Sequence, residues 1–259
     1  MAKAADTTFG KLRRFNGVMA VLHLVQGLLM LFLSGYGNKW PITTTHLEFD
    51  LETQSLQPVT QTWMRVEFAY LVALFLLMSA AAHLLISTLL YKRYVRFLQK
   101  HMNPYRWYEY ALSASVMIVV IAALTGIYDL GTLVALFALT AVMNLMGLMM
   151  ELHNQTTPKT DWTAYIIGCI AGIIPWIVIA FSFGGSLIAA KGGVPNFVIG
   201  IYVSIAVFFN LFAVNMYLQY KKVGKWKDYL YGERVYVLLS LIAKSALAWQ
   251  VFFGTLRPV

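Results

Sequence analysis

Seven stretches of this 259-residue chain are apolar and long enough to cross a lipid bilayer as a helix, which takes roughly 20 apolar residues. They cover approximately residues 15–35, 63–91, 104–128, 131–152, 162–184, 194–220 and 231–256. Because hydrocarbon offers the backbone no hydrogen-bond partners, each stretch is expected to be an α-helix. The composition, with 59% hydrophobic and 12% charged residues, agrees with this. The sequence therefore predicts an all-α membrane protein, a seven-transmembrane helix bundle.

Most connections between the stretches are short, so the bundle is expected to fill residues 1–259 as a single domain. The basic residues before the first stretch would also suit a signal peptide. However, that stretch is long and no small-x-small cleavage site follows it, so we interpret it as a retained helix. The lone Cys169 lies in the fifth stretch and excludes an intramolecular disulfide.

The net charge of +9 is distributed unevenly over the connections. Basic residues concentrate at the N-terminus (Lys3, Lys11, Arg13, Arg14), in the second-to-third connection (Lys92, Arg93, Arg96, Lys100, Arg106) and in the sixth-to-seventh (Lys221, Lys222, Lys225, Lys227). The first and fifth connections offer only Lys39 and Lys191, and the third only Asp129. The positive-inside rule then predicts a multi-pass protein of the cell membrane with a cytoplasmic N-terminus and an extracellular C-terminus. This pattern gives no reason to expect a nucleic-acid partner.

Two connections carry further patterns. In the first, apolar Leu47, Phe49 and Leu51 alternate with acidic residues, which predicts a half-buried strand and a short extracellular β-hairpin with Pro58 near its end. The hairpin would either cap the bundle or pair with a second protomer. The sixth-to-seventh connection mixes lysines with tyrosine and tryptophan, as expected of a segment in contact with anionic membrane lipid. A cytoplasmic signalling partner docking there is the alternative.

Among the few ionisable side chains inside the predicted spans are His23, Glu67, His83, Glu109, Glu151 and Lys244. Glu67 and Glu151 lie close enough to predicted helix ends that we expect solvated carboxylates. His23 and His83 lie deeper, and packing and proton-carrying roles both remain open for them. An ammonium at the bilayer centre costs about 3 kcal/mol on insertion scales, so Lys244 needs a buried partner, a water-filled path or a covalent role.

Glu109 is the expected partner of Lys244. A buried carboxylate and a buried cation stabilise each other's charged forms. Glu109 lies nearer the start of its helix than Lys244 does, but lysine stems lean towards the helix N-terminus, which brings the two together. One hypothesis is a salt bridge that only fixes helix packing. The other is a Schiff base on Lys244 with Glu109 as its counterion.

A buried lysine in a seventh helix resembles retinal-binding rhodopsins, although a cytoplasmic N-terminus is the reverse of their ordinary topology. The whole chain resembles heliorhodopsins, the family with inverted topology. The matching features are Arg106-Trp107-Tyr108-Glu109, Ser240-Leu241-Ile242-Ala243-Lys244, the strand-like first connection, and the pair His23 and His83.

This resemblance implies all-trans retinal as the cofactor, bound to Lys244 as a protonated Schiff base with Glu109 as counterion. Ser240 would hydrogen-bond near the imine, and His23 and His83 would belong to a polar network that takes up its proton. The implied pocket walls are Tyr110, Ser113, Met143, Trp176, Phe209 and Trp249. The family is also dimeric, with the outer loop contributing to the contact, and neither a metal site nor an enzymatic activity is expected.

Two positions argue against a light-driven pump. Pumps resembling bacteriorhodopsin carry a second carboxylate eleven residues after the first, and here that position is Val120. They also place an aspartate four residues before the retinal lysine, where this chain has Ser240. We therefore expect a light sensor or signalling photoreceptor with a slow photocycle and no net ion transport. The alternatives are a light-gated ion or proton channel, a light-dependent regulator of a soluble enzyme, and a retinal-free transporter or scaffold.

Overall fold

A computed structural model of the chain describes residues 2–35, 39–189 and 196–256, so Lys191 lies outside the described residues. Within these ranges the helices are α1 (Ala2–Leu33), α2 (Phe68–Ser87), α3 (Tyr91–Gln99), α4 (Pro104–Leu124), α5 (Leu130–His153), α6 (Thr163–Ala189), α7 (Asn196–Tyr220) and α8 (Tyr229–Val251). A short 3₁₀ turn (Gly224–Lys227) precedes α8, and a π turn (Phe252–Leu256) continues it. All but α3 are long and apolar enough to cross a membrane. The predicted seven-helix membrane bundle is confirmed.

The bundle has two distinct ends. At what we call the basic end lie α3, the 154–162 connection and the 3₁₀ turn, with most of the lysines and arginines. At the hairpin end lie a two-stranded sheet, the 125–129 connection and the π turn, where Gly35 N donates to Leu256 O at 2.8 Å. Basic side chains are therefore concentrated at one end of the bundle, as the sequence predicts.

Local sequence explains where the spanning helices begin. Pro104 stands in the first turn of α4, and the Asn103 side chain accepts a hydrogen bond from Arg106 N. Asp129 caps α5 by accepting from Thr132 N at 2.8 Å. Hydrogen bonds from the backbone and the side chain of Thr132 hold the pKa of the Asp129 carboxyl below its usual range. The caps satisfy amide groups that a helix leaves without intrahelical partners.

The short helix α3 was not predicted from the sequence. It is amphipathic: Tyr94 and Leu98 are buried, whereas Lys92, Arg93 and Arg96 are exposed. Its apolar face packs on α1 and α2, in a cluster that includes Leu12 and Ile86. An amphipathic basic helix of this kind lies along the surface of the bundle and does not cross the membrane.

The first connection forms the predicted antiparallel hairpin, with strands β1 (Lys39–Asp50) and β2 (Ser55–Glu67). It is longer than expected. Residues 63–67 belong to β2, so the second span begins at Phe68, later than predicted, and Glu67 precedes it. Pro58 lies within β2, opposite Leu47. The expected half-burial is wrong for this chain alone: Leu47 is 62% and Phe49 55% exposed, because the hairpin tip extends away from the helices.

The base of the hairpin is fixed to the bundle. The Trp40 ring stacks on Phe68 with centroids 3.9 Å apart and meets Tyr128 edge-on. Thr43 N donates to Tyr128 O at 2.9 Å. Below it, the spans from α1 to α6 pack in chain order, α7 packs on α8, and α8 closes the ring against α1. Aromatic side chains connect α6 to α7. The central core, which includes Phe75, Val120 and Leu247, is apolar. It lies between the hairpin end and the polar site described next.

Candidate functional site

Lys244 on α8 and Glu109 on α4 are in direct contact inside the bundle. Lys244 Nζ donates to Glu109 Oε1 at 2.7 Å, and their side chains are 4% and 10% exposed. The two residues are 135 positions apart in the sequence. The interaction removes the isolated ammonium that the apolar sequence around Lys244 would otherwise leave in the membrane.

The ends of the helices explain how the two residues reach the same depth. Asn103, which caps α4, donates through Nδ2 to Glu233 Oε1 at 2.7 Å, and Glu233 lies one turn inside α8. The start of α4 is therefore deeper in the bundle than the start of α8. Glu109 is correspondingly deeper than its position in the sequence suggests, and the lysine stem spans the remaining distance.

Two serines complete the polar surroundings of this pair. Ser79 Oγ on α2 lies 2.6 Å from Glu109 Oε1 and 3.0 Å from Phe75 O. Lys244 Nζ also donates to Ser240 Oγ at 3.0 Å, one turn earlier on α8. A carboxylate that accepts from Ser79 as well as Lys244 has its negative charge distributed over several donors. Ser240 therefore lies beside the Lys244 amine, as expected from the sequence. Ser79 also contacts the pair and was not among the expected residues.

His23 and His83 form a second polar group beside the pair. Their rings are stacked, with centroids 5.6 Å apart and planes at 7°. Asn16 Oδ1 on α1 lies 2.8 Å from His83 Nδ1. His23 is fully buried, and neither of its ring nitrogens has a hydrogen-bond partner in the described residues. Buried polar side-chain atoms normally have a hydrogen-bond partner, either in the protein or in ordered water.

Two adjoining cavities lie in this part of the bundle, and the smaller one contacts Lys244. The smaller, about 40 Å³, is lined by Tyr110, Ser113, Ser240 and Lys244. The larger, about 330 Å³, lies between α5, α6 and α7 and reaches Trp176. Met143, Asn144, Phe209 and Phe212 line both, so the cavities meet. Together they form an elongated, mainly apolar space that ends at a lysine, of the size typical for small-molecule sites.

Comparison of the chain with protein-family models identifies the family to which it belongs. The heliorhodopsin family model matches residues 12–256, nearly the whole chain. The chain belongs to the heliorhodopsin family. Heliorhodopsins are retinal-binding microbial rhodopsins of the membrane, a class of photoreceptor, and the resemblance noted in the sequence is confirmed. No curated protein matches the chain.

Of the six residues expected to form pocket walls in this heliorhodopsin, Trp249 alone does not line either of the two cavities. It is five positions beyond Lys244, which turns it to a different face of α8. Its Nε1 donates to Gln26 Oε1 on α1 at 3.0 Å. It also lines a groove between α7 and α8 near the hairpin end. Trp249 therefore lies outside these two cavities, and its place in a retinal pocket stays a prediction.

A buried charged cluster at the basic end was missed. The Arg106 guanidinium forms ion pairs with Glu151 and Glu233, and all three side chains are at most 4% exposed. Trp107 Nε1 donates to Glu151 Oε2 at 2.8 Å, and the Tyr229 hydroxyl lies 3.1 Å from Glu151 Oε1. The expectation of a solvated Glu151 is wrong, because α4 and α8 cover it. Arg106, assigned to a connection, lies inside α4.

Polar side chains link the histidines to this cluster. Asn16 Nδ2 lies 3.4 Å from the Tyr94 hydroxyl, which donates to Glu233 Oε1 at 2.9 Å. Sequence spacing contains a signal for these residues. Asn16 precedes His23 by seven positions, and Glu233 precedes Ser240 by seven and Lys244 by eleven. Such spacings place side chains on the same helix face, so a polar stripe at this period identifies a buried network.

Proposed function

We propose that this protein is a retinal-binding light sensor, with all-trans retinal on Lys244 as a protonated Schiff base and Glu109 as its counterion. The observation that carries the proposal is the buried 2.7 Å contact between Lys244 Nζ and Glu109 Oε1 at the end of a cavity. A lysine amine forms Schiff bases with carbonyl compounds. A carboxylate held against it compensates the positive charge that the imine retains.

The residues around Lys244 suit a long apolar aldehyde. Met143, Phe209 and Phe212 join the two cavities, and Trp176 meets Phe209 edge-on with centroids 5.4 Å apart. Tyr110 lies under the amine, with Lys244 Nζ 5.1 Å from the ring centroid. Ser113 lines the same space. These side chains exclude water and would orient an elongated polyene with its aldehyde towards Lys244.

When bound, retinal supplies absorption of visible light and isomerisation about a double bond. The protein holds the proton on Lys244 Nζ by facing it with Glu109, whose charge Ser79 also stabilises by donating to the same carboxylate oxygen. His23 and His83 provide nitrogen atoms that accept a proton leaving Lys244 Nζ. Return of that proton would be slow, and a slow return keeps an altered conformation populated long enough to bias a partner.

The apolar core argues against net ion pumping. Residues Val116 to Ala123 of α4, between Glu109 and the hairpin end, carry no ionisable or hydroxyl side chain. Val120 among them is fully buried in the central core. An ion path needs polar groups through the full membrane thickness. The polar side chains near Lys244 extend instead towards the basic end, which suits proton exchange within the protein.

One alternative has an observation in its favour. The chain of hydrogen-bonding groups from His83 through Asn16 and Tyr94 to Glu233 reaches the basic end, as a light-gated proton conductor would require. A stationary photocurrent in voltage-clamped cells would favour it. A purely sensory protein would give only a transient charge movement. Light-dependent control of a soluble enzyme would appear as illumination-dependent binding at the basic end.

The sensor proposal includes a membrane arrangement. The protein would be a multi-pass protein of the cell membrane, with its N-terminus and basic end cytoplasmic and its C-terminus extracellular. It would form a homodimer and bind an unidentified cytoplasmic signalling partner. As one retinal-binding unit it would have no enzymatic activity of its own.

The first test is the visible spectrum of protein expressed with all-trans retinal. We expect a visible band that Lys244→Ala removes and Glu109→Gln shifts to longer wavelength. The shift follows because the carboxylate stabilises the imine charge in the ground state more than after excitation. The exposed Lys225→Ala is the matched control and should keep the band. A band that survives Lys244→Ala, or no band in the unmodified protein, would contradict the proposal.

A further inference from the structure

A cavity of about 380 Å³ opens at the basic end, separate from the cavities beside Lys244. It lies where three connections meet: those between α3 and α4, α5 and α6, and α7 and α8. Four lysines line it, Lys100, Lys159, Lys222 and Lys227. We call this cavity the lysine pocket. No step of the light-sensing proposal uses it.

The charge of the lysine pocket is unbalanced. None of its lining residues is an aspartate or glutamate. The carboxylate behind its wall, Glu151, is buried and already paired with Arg106. Four ammonium groups around one cavity repel one another, and a multiply charged anion bound there would relieve that repulsion. Lysine is a common phosphate ligand in proteins because its ammonium acts as a compact charge with three donors.

Three ring-bearing side chains in the wall of the pocket are held in place by contacts within the protein. His101 stacks on Tyr229 with ring centroids 5.3 Å apart, and Trp226 Nε1 donates to Asn215 Oδ1 at 2.7 Å. His101 and Lys222 both have positive φ values, 55° and 53°. A non-glycine residue adopts this conformation only where the surrounding structure holds it. The connections are therefore pre-shaped, which lowers the entropic cost of binding a ligand.

One wall residue connects the pocket to the interior. Tyr229 lines the pocket, and its hydroxyl lies 3.1 Å from Glu151 Oε1. Glu151 pairs with Arg106, which pairs with Glu233. Through Tyr94 and Asn16, Glu233 is linked to His83 beside the Lys244–Glu109 pair. A charge placed in the pocket thus acts on a continuous polar network that ends near the chromophore site.

We propose that the lysine pocket binds phosphate-bearing anions and transmits its occupancy to the chromophore site through Tyr229 and Glu151. The binding part stands on the pocket alone, and the transmission part rests on the proposed light-sensing function. The phosphate could belong to a soluble metabolite or to a phospholipid headgroup, since the pocket lies next to the membrane surface. Both sources present the same chemistry to the lysines.

Binding is tested with the full chain in nanodiscs of neutral phosphatidylcholine. Inorganic pyrophosphate is titrated while tryptophan fluorescence is recorded, with sodium chloride at matched ionic strength as the blank. We expect saturable binding, weakened at least about tenfold in Lys100→Gln/Lys222→Gln/Lys227→Gln. The control Lys92→Gln/Arg93→Gln/Arg96→Gln removes three exposed charges from α3 and should leave the dissociation constant unchanged. Equal weakening in both variants, or a signal that chloride reproduces, would overturn the proposal.

The source of the phosphate is distinguished by a second set of nanodiscs that contain anionic phospholipid. If a headgroup fills the pocket, pyrophosphate no longer binds there. If the ligand is soluble, pyrophosphate binding persists. In both sets of nanodiscs, the part of the fluorescence change that the triple lysine variant loses is the part that comes from the lysine pocket.

Transmission is tested on the retinal-loaded protein. Pyrophosphate should change the decay rate of the light-induced state by about twofold or more, the scale of a modest coupling free energy. In Tyr229→Phe, which keeps the ring and loses the hydroxyl, binding should remain and the change in decay rate should disappear. Binding without any effect on decay would overturn the transmission. Absence of a visible band would contradict the light-sensing proposal, but the pyrophosphate-binding experiment would still test whether the lysine pocket binds phosphate.

Discussion

At the scale of single residues, Arg106 holds the buried charged cluster together. Its guanidinium pairs with Glu151 and Glu233 and also lies over the Tyr236 ring, 3.9 Å from the centroid. Two carboxylates that share a buried space repel each other, and the single positive charge of Arg106 is paired with both. Removing one member of a buried ion pair leaves an uncompensated charge, which costs more than the pair contributes.

Arg106→Ala should therefore destabilise the protein by about 3–5 kcal/mol. Replacing all three charges, in Arg106→Met/Glu151→Gln/Glu233→Gln, should recover a large part of that loss because no charge is left buried alone. The measurement is the midpoint of thermal unfolding in detergent, followed by circular dichroism. Arg93→Ala, which removes an exposed arginine from α3, is the control and should change the midpoint little. A single variant no less stable than this control would show that the cluster is solvated.

At the scale of helices and strands, the sequence predicts the type of each element better than the residues at which it begins and ends. Seven apolar stretches became seven spanning helices because hydrocarbon leaves the backbone no other choice. The second span was predicted five residues too early, since Trp63 and Val66 suit a strand and a membrane helix equally. The amphipathic α3 was missed because its charged residues also fit a loop. Its burial depends on contacts with α1 and α2 that local sequence does not specify.

Close packing of α4 on α5 depends on a glycine. A Cβ at Gly147 would collide with the Trp107 ring, which donates to Glu151 one turn further along α5. Gly147→Ala should therefore displace the ring, break this hydrogen bond and destabilise the protein by about 1–3 kcal/mol. Thermal unfolding together with tryptophan fluorescence measures both effects.

Gly184 on α6 is the matched position, since a Cβ there meets nothing within 4 Å. Gly184→Ala should be neutral or slightly stabilising, because alanine favours a helix over glycine by about 1 kcal/mol. If the two substitutions behaved alike, the contact between Gly147 and Trp107 would not be what holds α4 against α5.

At the scale of the whole molecule, the site could be predicted in part. The Lys244–Glu109 pair followed from the high cost of isolated charges in a membrane, which leaves few candidate partners. The Arg106 cluster did not follow, because its members come from three helices, each near the predicted end of a span. Whether such a carboxylate is solvated or buried depends on how the ends of neighbouring helices align. That alignment is a property of the assembled bundle.

The hairpin tip is the part of the fold best placed to contact a second copy of the chain. Leu47 pairs across the strands with Pro58, and Phe49 with Leu56, so these four side chains lie on one face. Leu47, Phe49 and Leu56 are each more than half exposed. An apolar face on an extended hairpin typically marks a protein interface. In a two-fold dimer the same patch would serve both protomers.

If the protein is the proposed homodimer, Phe49→Ser/Leu56→Ser should shift its mass in mild detergent from dimer towards monomer, as measured by light scattering after size-exclusion chromatography. The thermal midpoint should not fall, because Trp40 and Thr43 fix the base of the hairpin independently of its tip. Glu48→Ser/Gln57→Ser alters the opposite face of the same strands and is the matched control. A dimer that persists in the first variant would place the interface on the spanning helices, since the tip then contributes no required contact.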